Sequence, residues 1–355
     1  MIEIDGSQGE GGGQILRTAL ALSCLFRKPF RIVNLRKGRK RPGLMPQHLT
    51  GVRAAQRISG AQVQGDKGGA TEIVFSPGEV TGGDYSCDVG TAGSTLLLLQ
   101  ALLPALLFAK EKSALTLVGG THVPFSPCYD YVAKVFVPTL ATLGARVTLS
   151  IESYGFYPRG GGRIRAEIEP AGTLLPLRRT ERGDLLEING CSATGGLPPS
   201  IAERQRDAAL RRLHSGLGRG ECPVDVAELS VPTPGQGTYL YLHAASERTV
   251  AGFASLGALG KRAETIGEEA AKDLLAYLST GAALDPHLPD QIVPYLSLCG
   301  EESAFTTSRI TQHLLTNLWA IGLFHEFTYA VDGEVGKPGR VVVNRRAAAG
   351  PPPAG

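Results

Sequence analysis

One order of apolar periodicities occurs twice in the first half of the chain, and it constrains the fold more than any other feature. Strand-like Ile2 to Asp5, helix-like Gln14 to Leu25, strand Phe30 to Leu35, helix Pro46 to Ser59, and strands near Ala61 to Gln64 and Thr71 to Phe75 spell a βαβαββ unit. The same order returns from about residue 83, with a strand near Tyr85, helix Ser94 to Phe108, strand Ala114 to Val118, helix Cys128 to Leu143, and strands Arg146 to Ile151 and Arg163 to Glu169. A period of roughly 80 residues is too long for a solenoid of short repeats and predicts packed α/β (α+β) subdomains.

The end of the chain carries most of a third unit: helix Asp290 to Leu298, a short strand near Ala304, helix Ser308 to Leu323, and strands Phe327 to Val331 and Arg340 to Asn344. Its beginning is missing from the adjacent sequence. Residues 181–280 intervene with periodicities of their own: helix Pro199 to His214, strands Val224 to Val231 and Thr238 to His243, and helix Lys261 to Ser279. The expected organisation is three repeated βαβαββ subdomains over residues 1–180 and 281–345, a small α/β domain of residues 181–280 inserted in the third, and a disordered tail at 346–355.

The 355 residues carry a net charge of only +3, but the distribution is lopsided. No Asp or Glu lies between Gly11 and Gly65, a stretch that holds eleven Lys and Arg residues, so the rest of the chain is net acidic. Such a block suggests an anionic partner at one place, not a uniformly basic surface. Glycine is in excess, 46 residues without collagen periodicity, which indicates tight turns and loops that approach a ligand. The six cysteines are widely spaced, with no CxxC pair and no signal peptide ahead of them, the pattern of a reduced, cytoplasmic chain without a Cys-based zinc site. The uncharged run Val89 to Ala109 is broken by Gly90, Thr91, Gly93, Ser94, Thr95, Gln100 and Pro104, and is expected to be a buried helix, not a membrane span.

Three segments have the residue types for phosphate chemistry. Asp5-Gly-Ser-Gln-Gly-Glu-Gly-Gly-Gly-Gln14 runs from a strand end through a glycine loop into a helix that carries Arg17. Bare amides at such a helix start can cradle a phosphate, with Arg17 one turn inside to pair with it. Glu10 is the odd residue, since a carboxylate among phosphate-binding amides repels the ligand unless a divalent cation bridges the two. A glycine-rich turn with Glu10 capping the helix is the plainer alternative. The second segment, Leu35 to His48, has five basic residues among the six from Arg36 to Arg41, shaped by two glycines and two prolines and ending on a helix at Gln47 and His48. A solvated loop is the competing reading for any charge run. In the third, Ile310, Leu314, Leu318 and Ile321 mark the buried stripe of a helix capped by Thr307 or Ser308, with His313 about one turn inside. A core histidine is the ordinary reading of such spacing. Gln100, within an apolar helix, needs a partner if buried and is a candidate ligand contact.

Taken together these residues resemble the RNA 3′-terminal phosphate cyclases. The segments DGxxGEGGGQILR at Asp5 to Arg17, RxGRxxPGLxxQH at Arg36 to His48, GTAGSTLLLLQ at Gly90 to Gln100, GFYPxGGG at Gly155 to Gly162, DQ at Asp290 and Gln291, and HLLTN at His313 to Asn317 recur in order from residue 1 to about 345. The resemblance implies three units like those of enolpyruvyl transferases with one inserted domain. It also implies an ATP-dependent, ligase-type nucleotidyltransferase that converts an RNA 3′-phosphate to a 2′,3′-cyclic phosphate through a covalent histidyl-AMP and an RNA-adenylate. His313 is then the AMP-accepting nucleophile, Glu10 the ligand of Mg²⁺ or Mn²⁺, and Arg17, Arg36, Arg39, Gln47, His48, Gln100, Asp290 and Gln291 the groups that bind ATP and phosphate.

Alternatives differ in what they leave unexplained. A catalytically silent, cyclase-like ribosome-assembly protein would lack the nucleophilic histidine, whereas His313, Glu10 and Arg17 stand here together. An enolpyruvyl transferase needs two sets of three units. A nucleic-acid-binding protein without chemistry accounts for the basic block but not for Glu10 or His313. Two positions depart from the family pattern, His122 after Gly-Gly-Thr and His287 three residues before Asp290, and they bear on pocket polarity and base stacking.

Overall fold

The computed structural model describes residues 1–217 and 222–345; the expected tail at 346–355 lies outside the described residues. The first unit comprises β1 (Ile2–Asp5), α1 (Gln14–Phe26), β2 (Phe30–Val33), α2 (Pro46–Ser59), β3 (Gln62–Gln64) and β4 (Ile73–Ser76). The second comprises β5 (Gly83–Asp88), α3 (Thr95–Leu106), β6 (Ser113–Gly119), a helical run of α4 (Tyr129–Tyr131), a π turn (Val132–Phe136) and α5 (Val137–Thr142), then β7 (Val147–Ser153) and β8 (Gly162–Ile168). After β9 (Arg178–Arg179) come β10 (Leu185–Gly195), α6 (Ser200–Gly216), β11 (Val224–Ser230), β12 (Gly237–Ser246), β13 (Val250–Leu256) and α7 (Ala263–Leu278). The chain ends in α8 (Leu288–Leu296), β14 (Ser303–Thr307), α9 (Gln312–Phe324), β15 (Phe327–Asp332) and β16 (Gly339–Arg345).

Three of the four sheets have one topology. Their orders are β1-β2-β4-β3, β5-β6-β8-β7 and β9-β14-β16-β15, and in each the first pair is parallel and the other two pairs are antiparallel. The opening strand of the third unit is β9, two residues long, which pairs Arg178 with Ala304 across the intervening segment. Two residues carry no periodicity, which is why the sequence hides it.

Each of these sheets is apolar on one face only. Along β6 the residues alternate buried and half-buried, and along β8 the inward Ile164, Ala166 and Ile168 alternate with exposed Arg163, Arg165 and Glu167. The inward faces close on a helical centre in which α1 packs against α2, α3 and α9, and α9 against α8. A single apolar cluster runs through all three units. The uncharged run from Val89 becomes α3, whose Leu96, Leu99, Leu102 and Leu106 are fully buried there, and no helix among the described residues is long and apolar enough to cross a membrane.

The fourth sheet, β11-β10-β12-β13, is covered by α6 and α7 and has a separate core of Ile188, Leu213, Leu240, Leu242, Leu274 and Tyr277. Two of its strands, β10 and β13, are absent from the sequence reading. The inner half of β10 reads Asn-Gly-Cys-Ser-Ala-Thr-Gly, small and polar residues without the alternation that marks a strand.

Candidate active site

The loop that joins β1 to α1 turns twice through left-handed backbone, at Gly9 (φ +58°) and Gly11 (φ +59°). It lies against the start of α9: a Cβ on Gly9 would stand 2.2 Å from Thr316 Oγ1. The start of that helix differs from the expected one. Thr311, not Thr307 or Ser308, is the N-cap, its hydroxyl accepting from Leu314 N at 3.1 Å, so His313 is the second residue of α9. The preceding residues are used otherwise, with Ile310 in a bridge to Val335.

This geometry brings Glu10 and His313 together. Glu10 Oε1 accepts from Arg39 Nη2 at 2.6 Å, and Oε2 stands 2.8 Å from His313 Nδ1. The ring N–H points instead at Gln14 Oε1, 2.7 Å away, which leaves Glu10 Oε2 buried without a hydrogen-bond partner among the described residues. His313 and Arg39 hold the Glu10 carboxyl at about 2, against the effect of burial, and Glu10 in turn raises the pKa of His313. A buried carboxylate oxygen that accepts no hydrogen bond suits a hard divalent cation.

Basic groups surround the same loop. Arg17, on the first turn of α1, and His48, on the first turn of α2, both lie over Gly13; a Cβ there would meet His48 Nε2 at 2.3 Å and Arg17 Nη1 at 3.3 Å. Burial lowers Arg17 to about 10, opposed by Asp290 and Glu10. Burial, with Arg17 and Arg36 nearby, depresses His48 to about 3, so its ring is neutral, and Nδ1 accepts from Met45 N at 3.2 Å. Arg36 has φ +55° and donates to the carbonyls of Arg41 (2.8 Å) and Gly43 (3.0 Å), so it shapes the basic loop that carries it. Gln47 Oε1 accepts from Ser94 N at 2.9 Å, tying α2 to the turn before α3.

The other wall is formed by α8. Asp290 and Gln291 line a pocket with Gln14, Arg17, Gln100 and Asn317. Gln100 Nε2 donates to Gln291 Oε1 at 2.7 Å, and Gln291 Nε2 to the His287 carbonyl at 2.8 Å. Asn317 Nδ2 donates to the Asp290 carbonyl at 2.6 Å, and Asn317 Oδ1 accepts from Thr18 Oγ1 at 2.6 Å. Burial raises Asp290 to about 6, although His313, His287 and Arg17 all pull the other way.

All ten residues singled out in the sequence therefore sit around one cleft, where α1, α2, α3, α8 and α9 begin or meet. Gln14 and Thr18 belong there too. The available signal for Gln14 is a polar residue, 5% exposed, at the first position of an otherwise apolar helix. His122 lies elsewhere. It is buried, its Nε2 3.0 Å from Asp130 Oδ2 and its ring 4.0 Å from that of Tyr239, in the contact between the second unit and the inserted segment. Cys128 is near both, but Asp130 is already matched by His122 and Lys134, and this reads as a polar tie in the core. His287 is exposed, edge-on to Tyr131. Of the arginines of α6, Arg204 is paired with Glu264 and Arg206 with Asp207 and Glu228.

Comparison with known proteins gives one family. The family model described as RNA 3′-terminal phosphate cyclase matches residues 8–331. A relative from Ignicoccus hospitalis named RNA 3′-terminal phosphate cyclase is 45% identical over 341 residues, 95% of this chain and 97% of that protein. One of the same name from Pyrococcus abyssi is 42% identical over 346 residues, 98% and 99% of the two chains. Among solved structures, EPSP synthase from Acinetobacter baumannii aligns at TM-score 0.30 with 12% identity, over 93% of this chain and 62% of that one, a similarity too slight to add to the fold described above.

Proposed function

The chain belongs to the RNA 3′-terminal phosphate cyclase family, and from that premise we propose that it cyclises RNA 3′-phosphates at the expense of ATP, with His313 as its nucleophile. The observation that carries the reading is the convergence of His313, Glu10, Arg17 and His48 on one glycine loop, with His313 Nδ1 2.8 Å from Glu10. An imidazole nitrogen attacks the α-phosphorus of ATP; the N–P bond forms, the bond to the bridging oxygen breaks, and pyrophosphate leaves. The AMP passes from His313 to the RNA 3′-phosphate, giving an RNA(3′)pp(5′)A end. The vicinal 2′-OH then attacks that phosphorus, closing the 2′,3′-cyclic phosphate and expelling AMP. Only RNA has this hydroxyl.

The charges that build up on phosphate have named partners. Arg17 and the loop amides face the triphosphate, and Arg36 and Arg39 serve phosphates of ATP or of the RNA end. Glu10 would hold Mg²⁺ or Mn²⁺, whose chemistry is to neutralise phosphate charge and polarise the α-phosphorus. Neutral His48 and Gln47 line the phosphate side, and Gln100, Asp290 and Gln291 the nucleoside side.

The test is covalent labelling. With α-labelled ATP and Mg²⁺ or Mn²⁺ the protein is expected to acquire one acid-labile, base-stable AMP, absent from His313→Ala, and a 3′-phosphorylated oligoribonucleotide is expected to become phosphatase-resistant only with ATP. Full labelling of His313→Ala overturns the nucleophile. A 3′-phosphate that stays removable after prolonged incubation favours the silent homologue.

A further inference from the structure

We propose that Gln14 is a positioning residue: held by Asp290, it fixes the His313 ring in the tautomer that presents Nε2 to ATP. The inference rests on the reading of His313 as nucleophile.

A nucleophilic imidazole must carry its proton on the nitrogen that does not react. Nδ1 of His313 faces two acceptors, Gln14 Oε1 at 2.7 Å and Glu10 Oε2 at 2.8 Å. It therefore carries the hydrogen, and in the neutral ring the lone pair lies on Nε2. Glu10 alone is a poor keeper of that arrangement, because its carboxylate is the group that would hold the divalent cation. Gln14 is free of that conflict.

The orientation of the Gln14 amide is itself determined. Its Nε2 stands 3.2 Å from Asp290 Oδ2 and 3.2 Å from the His313 carbonyl, both acceptors. Turning the amide over would set its oxygen against two oxygens and its NH₂ against the Nδ1 proton. The residue is 5% exposed and begins α1, so backbone and packing limit its other rotamers. The backbone of Asp290 is fixed in turn by Asn317, which donates to its carbonyl and which Thr18 holds from α1. The chain of groups is thus a carboxylate, an amide and an imidazole, from α8, α1 and α9.

An amide oxygen suits this task. As Nε2 bonds to phosphorus and the electrons of the broken bond leave with pyrophosphate, the ring becomes cationic and the Nδ1–H···O bond strengthens. The amide is too weak a base to take the proton, so the ring keeps it through adenylylation and on transfer of AMP to RNA. A carboxylate orienter serves the same purpose in hydrolytic triads, where loss of the correct tautomer costs on the order of 10⁴ in rate.

The test combines variants with a spectroscopic reading of the ring. In ¹⁵N-histidine-labelled wild-type protein, at a pH high enough for the His313 ring to be neutral and with His313 assigned by difference against His313→Ala, the expected signature is a protonated Nδ1 and an unprotonated Nε2. Gln14→Leu is expected to lose that preference and to slow single-turnover adenylylation at saturating ATP on the order of 10²-fold, with ATP affinity unchanged and the protein, though its melting temperature falls, still folded at the assay temperature. Gln14→Glu keeps an acceptor for Nδ1 but loses the NH₂ that Asp290 and the His313 carbonyl hold, and is expected to lose rate as well. Protonated Nε2 in the wild type at that pH, a wild-type rate in Gln14→Leu or in Gln14→Glu, or a rate loss in Gln14→Leu that only follows unfolding or weakened ATP binding would each overturn the inference. Failure of the underlying reading looks different: covalent AMP then persists in His313→Ala, whatever Gln14 does.

Discussion

His48 shows how one buried ring couples the site to acidity. Its folded pKa of about 3 lies below the usual 6.5, so between those values the unfolded chain binds the proton and the folded one does not. Its contribution is therefore complete above about pH 6.5 and is lost as pH falls toward 3. Wild type is expected to lose about 3 kcal/mol more than His48→Asn between pH 7 and pH 4, a difference that melting curves across that range will measure. Of the residues in the cleft, those in charged or glycine-rich motifs were legible in the sequence: Glu10 because a carboxylate is out of place among phosphate-binding amides, Arg17 because it follows one turn later. His313 had core spacing and needed the family resemblance. Gln14 has no such contrast, and its partners lie 276 and 299 residues away.

At the scale of elements, helix starts govern the cleft. The loop before α1 works because nothing projects from Gly13 toward His48 and Arg17. A methyl there pushes on the ends of two side chains and leaves the backbone alone, so Gly13→Ala is expected to weaken ATP binding about tenfold and to cost about 1–3 kcal/mol of stability. Gly38→Ala, on the basic loop with open space around it, is the matched control, expected to bind ATP as wild type does by titration calorimetry. The helices were well placed by apolar periodicity, and α1 and α2 begin where expected. The start of α9 was not. Thr307, Ser308 and Thr311 are all competent caps, and the choice among them is made by tertiary pairing of the segment between, which no local pattern encodes.

For the whole molecule, the decisive ties are few and buried. Asp285, fully buried, accepts from the amides of His287 and Leu288 at the start of α8, and Tyr131 of the second unit donates to both its oxygens, at 2.9 and 3.0 Å. The α8 end that carries Asp290 is thus anchored from another unit. Tyr131→Phe is expected to cost about 1–3 kcal/mol in chemical denaturation and to lower activity through the displaced α8 wall, an outcome absent from the surface variant Tyr157→Phe. The threefold repetition was legible for two units, because their strands and helices alternate without interruption. The third was legible only at its end, since its first strand is two residues long and lies before the inserted segment.

That arrangement has a consequence in time. During synthesis β9 leaves the ribosome about 125 residues ahead of β14, the strand it pairs with, so at ordinary elongation rates the third sheet waits on the order of 10 s for its second strand. The inserted segment, which has its own sheet and core, emerges entirely within that interval. The cleft, which needs α1 from the start of the chain and α9 from near its end, cannot come into being until nearly the whole chain has been made.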